Sequence, residues 1–271
     1  MATKPAAKPQ QQQPKMQLQA ITGGLIHQQQ PEYLAQIKGN RGNEQVGTED
    51  LIIPRLEIVQ ALSPCLKKTD PAYIEGCDQG MLFNNLTREL YGDEVLVMPI
   101  YFRKEFLLWV DRTKSDGAGG FRGSYPTAAA AQEKKDELTD EGEQHLQIVD
   151  TAQQFSLIVH SNARTEDIVV SMAKSKMKVS RRWNSLIRLA TGDRFSRVYK
   201  ITTVEEQGKK GTYYNYAVDV AGFPSKQLYD IALEKYKSIA SGRVRADISG
   251  DSFDADDDHS QDGTKRSGND Y

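Results

Sequence analysis

The chain has 271 residues, with 35 Lys and Arg against 37 Asp and Glu, so its formal charge at neutral pH is only −2. With both ends set aside, roughly 195 residues remain, enough for one sizeable core. No run approaches the roughly 18 apolar residues of a membrane helix. No secretory signal opens the chain, so the two cysteines, Cys65 and Cys77, imply free thiols in a reducing cytoplasm.

Residues 1–48 are rich in Gln, Lys, Pro, Ala and Gly. They bury too little apolar surface to repay their ordering entropy and read as a disordered arm. Residues 49–242 are expected to form the folded domain. Leu51–Leu62 looks extended, with Pro54 placing it at a sheet edge or a strand start. Met81–Leu86 and Glu94–Phe102 are strand-like and flank turn chemistry, which predicts a hairpin. Glu105–Val110 is a further short strand, so Arg103 and Lys104 should sit at a bend. A glycine-rich stretch, Thr113–Gly123, precedes a short exposed helix over Thr127–Leu138. Gln153–His160 and Ile168–Val170 return to strand character.

Lys176–Ala190 has the spacing of an amphipathic helix: Val179, Trp183, Leu186, Ile187 and Ala190 form one apolar stripe. Phe195–Val204 and Thr212–Val220 flank Gln207–Gly211 as a hairpin. Alternation places Tyr213 and Tyr214 on opposite sides of its second strand, so one face exposes tyrosine. Lys226–Ile239 closes the domain as a second amphipathic helix. Short strands, glycine turns and few helices imply a mainly β fold with a few helices, an OB-like β-barrel flanked by disordered termini. The OB-like choice rests on analogy with single-strand-binding scaffolds.

The charge is unevenly placed. Ile168–Val204 holds nine cations, Lys174, Lys176, Lys178, Arg181, Arg182, Arg188, Arg194, Arg197 and Lys200, against Asp193 alone. An ordinary solvated face mixes signs, because like charges repel. Such a cluster interleaved with aromatics favours a polyanion, and single-stranded DNA fits best: cations neutralise phosphates while aromatic faces stack on unpaired bases. Lys209 and Lys210 extend the basic surface, and Tyr199, Tyr213 and Trp109 are the stacking candidates. Trp183 sits on the apolar stripe, which favours the core over stacking. For each hairpin tyrosine, ordinary cross-strand packing remains the alternative.

Residues 243–271 read as a disordered acidic tail, six of whose aspartates fall within Asp247–Asp258. Phe253 among Asp254, Asp256, Asp257 and Asp258, with Tyr271 at the end, suits competition for the basic surface or docking onto partner proteins. Lys265 and Arg266 dilute that charge. No P-loop, GxSxG, HExxH or dinucleotide fingerprint is present, and no Cys/His spacing suits zinc. The expectation is therefore no enzyme, no cofactor and no metal. A protein-interaction factor meeting an acidic partner is the alternative function, and a metal-dependent nuclease has the least support.

The blocks LIIPRLEIVQALSP, VMPIYFRKEFLLW, SRRWNSLI and FSRVYKITTVEEQGKKGTYYNYAV resemble replication-associated and single-stranded-DNA-binding proteins of tailed bacteriophages, over about Leu51–Ala240. The resemblance implies a barrel core with an acidic tail ending in an aromatic residue. It also implies sequence-independent coating of single-stranded DNA in replication or recombination. Phage replication proteins would be met through the tail, in the host cytoplasm.

Overall fold

A computed structural model describes residues 41–45, 52–111, 120–208 and 211–240. The chain divides into two units, Met1–Gly47 and Thr48–Tyr271. Within the first unit, the described residues 41–45 form turns. The expectations for the rest of the N-terminal arm, for Lys209 and Lys210, and for the acidic tail with Phe253, Asp254, Asp256, Asp257, Asp258 and Tyr271 lie outside the described residues.

The second unit is mainly β. A small sheet has the order β1-β2-β3, formed by Leu56–Ile58, Leu82–Asn84 and Leu90–Gly92. The large antiparallel sheet has the order β7-β6-β4-β8-β9, with β5 added at the far end of β4. Its strands are β4 (Glu94–Val110), β5 (Gly120–Tyr125), β6 (Leu146–Val159), β7 (Thr165–Ala173), β8 (Val198–Gly208) and β9 (Gly211–Gly222). The described residues also form three α-helices, α1 (Ala128–Asp140), α2 (Met177–Leu189) and α3 (Lys226–Ala240), and short 3-10 turns at Pro64–Leu66 and Lys174–Lys176. The Thr127 hydroxyl caps α1 by accepting from the Ala130 amide at 3.2 Å.

Alternation along the central strands divides the apolar side chains between two cores. One gathers Val95, Val97, Ala152, Ile158, Tyr199, Ile201 and Val218 from the large sheet. These pack with Val179 and Trp183 of α2 and with Leu56, Ile58 and Leu82 of the small sheet. The other gathers Met98, Ile100, Phe155, Leu157 and Val169 with Ala232 and Ile239 of α3. At the far end of β4 and β6, Leu108, Val110 and Leu146 are covered by Leu138 of α1.

The expected barrel is not formed. β7 and β9 are the two edges of the described sheet and do not pair with each other. Helix α2 instead packs against β6, β7 and β9. Its apolar stripe has to be buried, and with Val179 and Trp183 inserted the two edge strands cannot meet.

The expected bend at Arg103 and Lys104 is also absent, since β4 runs unbroken for 17 residues and pairs with β6 from Val97 to Val110. Alternating directions accommodate both charges. Arg103 lies over the Tyr101 and Phe155 rings, and Lys104 pairs with Asp150 at 3.1 Å. Finally, β2 pairs with β3 and not with β4, so the predicted hairpin closes one strand earlier.

Candidate nucleic-acid interface

Helix α2 carries Lys178, Arg181, Arg182 and Arg188 and no carboxylate. Turning by about 100° per residue, it directs Val179 and Trp183 inward and leaves those four cations exposed. Counter-charges come from the neighbouring hairpin on one flank alone. Lys178 donates to Glu206 Oε2 at 2.8 Å, and Arg182 donates to Asp219 Oδ1 at 3.1 Å. Arg181 and Arg188 have no carboxylate partner among the described residues. Exposed ion pairs of this kind are worth about 0.2–1 kcal/mol each, so phosphate can displace them.

Glu206 is held by three donors. Besides Lys178, it accepts from the Tyr213 hydroxyl at 2.6 Å and from Asn215 Nδ2 at 3.2 Å. Burial pushes its carboxyl pKa up, but hydrogen bonds from Lys178, Tyr213 and Asn215 outweigh that and leave it below the usual range.

The remaining cations of the cluster differ in character. Lys174 and Lys176 form a 3-10 turn before α2 and are half-buried, with the Lys176 ammonium 5.8 Å from the Tyr216 ring centroid. Lys200 pairs with Glu94 at 3.4 Å. Arg197 lies over the Phe223 ring at 5.3 Å. Arg194 turns inward: its Nη2 donates to Gln154 Oε1 and, at 2.8 Å, to Asn184 Oδ1.

The aromatic expectations are corrected by burial. Tyr199 and Trp109 are 1% and 5% exposed, so neither ring offers a face to a base. Tyr199 packs edge-on against Trp183, which is itself fully buried, and Trp109 packs against Phe121. Tyr213 is half-buried and tied by its hydroxyl to Glu206. Tyr214 is half-buried against Gly80, and Tyr216 is buried with its hydroxyl on the Leu56 carbonyl. The hairpin therefore shows no fully exposed tyrosine among the described residues.

Phe223 is the aromatic that sequence reasoning missed. It is 77% exposed, follows β9 directly and lies beneath the Arg197 guanidinium. Asp219, the partner of Arg182, lies four residues earlier. The available signal was an aromatic followed by Pro224 just past a strand end, where no inward face remains to hold it.

A second charged cluster joins residues far apart in sequence. Ligand-type atoms of Glu89, His160 and Glu166 lie within 4.8 Å of one another. Arg164 Nη2 stands among them, 2.8 Å from Glu89 Oε1, 3.1 Å from His160 Nε2 and 3.6 Å from Glu166 Oε2. Tyr91 donates to Glu166 Oε1 at 2.8 Å. The guanidinium supplies the positive charge that the carboxylates require, which makes the cluster an ion-pair network.

No helix of the described residues is long and apolar enough to cross a membrane. No curated protein and no solved structure matches the chain. The profile of the Pam3 phage gp34-like protein family matches residues 22–245, which takes in every strand and helix described above. The chain belongs to the Pam3 phage gp34-like protein family.

Proposed function

We infer that this phage protein binds single-stranded DNA without sequence preference, and that it coats the strand during replication or recombination without catalysing a reaction. The observation that carries this reading is helix α2. It exposes Lys178, Arg181, Arg182 and Arg188, bears no carboxylate, and is tied by Arg182 to Asp219, four residues before an exposed Phe223 beside Arg197. The cations meet phosphates, and Phe223 takes over the stacking role first given to Tyr199 and Trp109. Such a surface reads backbone charge and base faces, which every sequence shares.

Fluorescence anisotropy of a labelled oligo(dT) of about 30 nucleotides tests this, at two salt concentrations with matched duplex as competitor. Tight, salt-dependent binding that duplex fails to displace is the expected result. A protein that ignores the oligonucleotide at low salt is not a single-strand binder. The second reading, a factor that docks on an acidic protein partner, draws on Leu189. This residue is 86% exposed at the end of the same helix and would give such a contact an apolar centre.

A further inference from the structure

Arg194 is the one cation of the basic segment that the fold turns under α2. It is half-buried, and its Nη2 is shared between Gln154 of β6 and Asn184 of α2. Gln154 Nε2 in turn donates to Ser180 Oγ at 3.0 Å, so the amide and hydroxyl groups are oriented by one another. The Phe102 ring lies 5.5 Å from the guanidinium carbon. None of these groups carries a negative charge. Among the described residues no carboxylate pairs with Arg194, and its Nε is buried without an acceptor.

A half-buried cation with neutral neighbours is costly, because burial removes water and nothing of opposite charge replaces it. Burial lowers the Arg194 pKa to about 10, which still leaves the group charged at neutral pH. Position on the helix adds a second argument. Asn184 lies about 60° from Arg181 and about 40° from Arg188 around the α2 axis, whereas Arg182 is turned about 160° away. Glu206 and Asp219 therefore neutralise the flank of Lys178 and Arg182. Among the described residues no carboxylate forms an ion pair with Arg181, Arg188 or Arg194, and Asp193, next to Arg194 in sequence, accepts instead from the Tyr229 hydroxyl.

We propose that Arg194, oriented by Asn184 and Gln154, is a phosphate subsite on the uncompensated flank of α2, taking a phosphodiester oxygen as its missing counter-anion. This rests on the single-strand-binding reading and gives it a direction. The backbone crosses the exposed cations of α2, and Arg194 extends that track on the side of Arg181 and Arg188. Arg194 thereby ties ligand binding to the seating of α2 on β6.

Arg194→Ala would remove a clamp as well as a ligand group, so the decisive variant is Asn184→Asp, which keeps the shape and places a carboxylate where Nη2 already donates. Ser185→Asp is the control, adding the same charge one residue along on the exposed face. Asn184→Asp should weaken oligo(dT) binding about tenfold or more, as expected when a hydrogen bond to a charged group is lost. Ser185→Asp should weaken it only about two- to fivefold. Inorganic phosphate, compared with chloride at equal ionic strength, should raise the melting temperature of the wild type and of Ser185→Asp, but not that of Asn184→Asp. Equal losses of DNA affinity in the two variants, or a phosphate shift that survives in Asn184→Asp, would overturn the subsite. A wild type that fails to bind oligo(dT) would instead overturn the single-strand reading. In that case the phosphate shifts alone decide the subsite.

Discussion

Replacing Arg181 and Arg188 together by alanine separates charge from stacking. Each phosphate neutralised on a single strand contributes about −0.7 to the slope of log K against log salt. Four exposed cations on α2 therefore predict a slope near −2.8, and the double variant should flatten it to about −1.4. Arg181 and Arg188 are the informative pair because they have no carboxylate to give up, whereas Lys178 and Arg182 must first leave Glu206 and Asp219. Phe223→Ala is the complementary perturbation. The ring carries no charge, so the slope should stay near −2.8. A stacked base is worth about 1–3 kcal/mol, so affinity should fall by roughly 5- to 150-fold. The assay is anisotropy with labelled oligo(dT) over a series of chloride concentrations. Parallel slopes for the wild type and the double-arginine variant would refute the placement of phosphates on α2. A slope flattened by Phe223→Ala would refute the division of roles.

Three further outcomes follow from the packing and the titrating groups. Trp183→Ala empties a fully buried site between α2 and Tyr199, and should cost about 3–5 kcal/mol in urea unfolding; a loss below about 1 kcal/mol would contradict its core position. Glu206 has a folded pKa below its ordinary value, so it contributes stability above the unfolded pKa near 4.3 and loses it as pH falls through the folded value. The stability gap between wild type and Glu206→Gln should therefore be full at neutral pH and shrink in acid, whereas a gap that does not change with pH would exclude this linkage. Burial, with Cys77 beside it at 3.2 Å, pushes the Cys65 thiol up to about 12. An alkylating reagent at mildly alkaline pH should then modify the less buried Cys77 first and reach Cys65 only on unfolding; equal rates at both would count against the buried site.

The helices were legible because their patterns are local. The spacing of Val179, Trp183, Leu186 and Ile187 marks α2 to within a residue at each end, and Thr127 marks the start of α1. The β8–β9 hairpin was legible for the same reason. What failed depends on long-range pairing. Arg103 and Lys104 read as a bend because a charged pair interrupts an apolar run, yet a two-sided strand can send one toward the Tyr101 and Phe155 rings and the other to Asp150. Trp109 and Tyr199 read as stacking platforms because their neighbours in sequence are basic. Whether a ring is open depends on what lies across from it, here Phe121 and Trp183. The ion network of Glu89, His160, Arg164 and Glu166 has no local pattern, since its members meet only when β3 approaches the β6–β7 turn. The basic face itself was visible as composition, but its asymmetry was not, because Glu206 and Asp219 come from another element.

Helix α2 fills the position that strand pairing would occupy in a closed barrel, and the same helix bears the exposed cations. Ligand binding should therefore act on the element that seals the core. At a ligand concentration of about 100 times Kd, binding to the folded state alone adds about 2.7 kcal/mol. For a domain of this size each kcal/mol shifts the melting temperature by about 2–4 °C, which predicts a rise of about 5–11 °C with oligo(dT). Any ligand of the folded state would produce such a rise, so its location is the test. Amide hydrogen exchange should slow most along Met177–Leu189 and around Phe223, because contact there opposes the opening by which α2 lifts off β6 and β9. A comparable rise in melting temperature with protection confined to α1 or β5 would mean that the strand binds the opposite end of the sheet. The basic cluster would then be only the solvated surface of a helix whose task is to close the core.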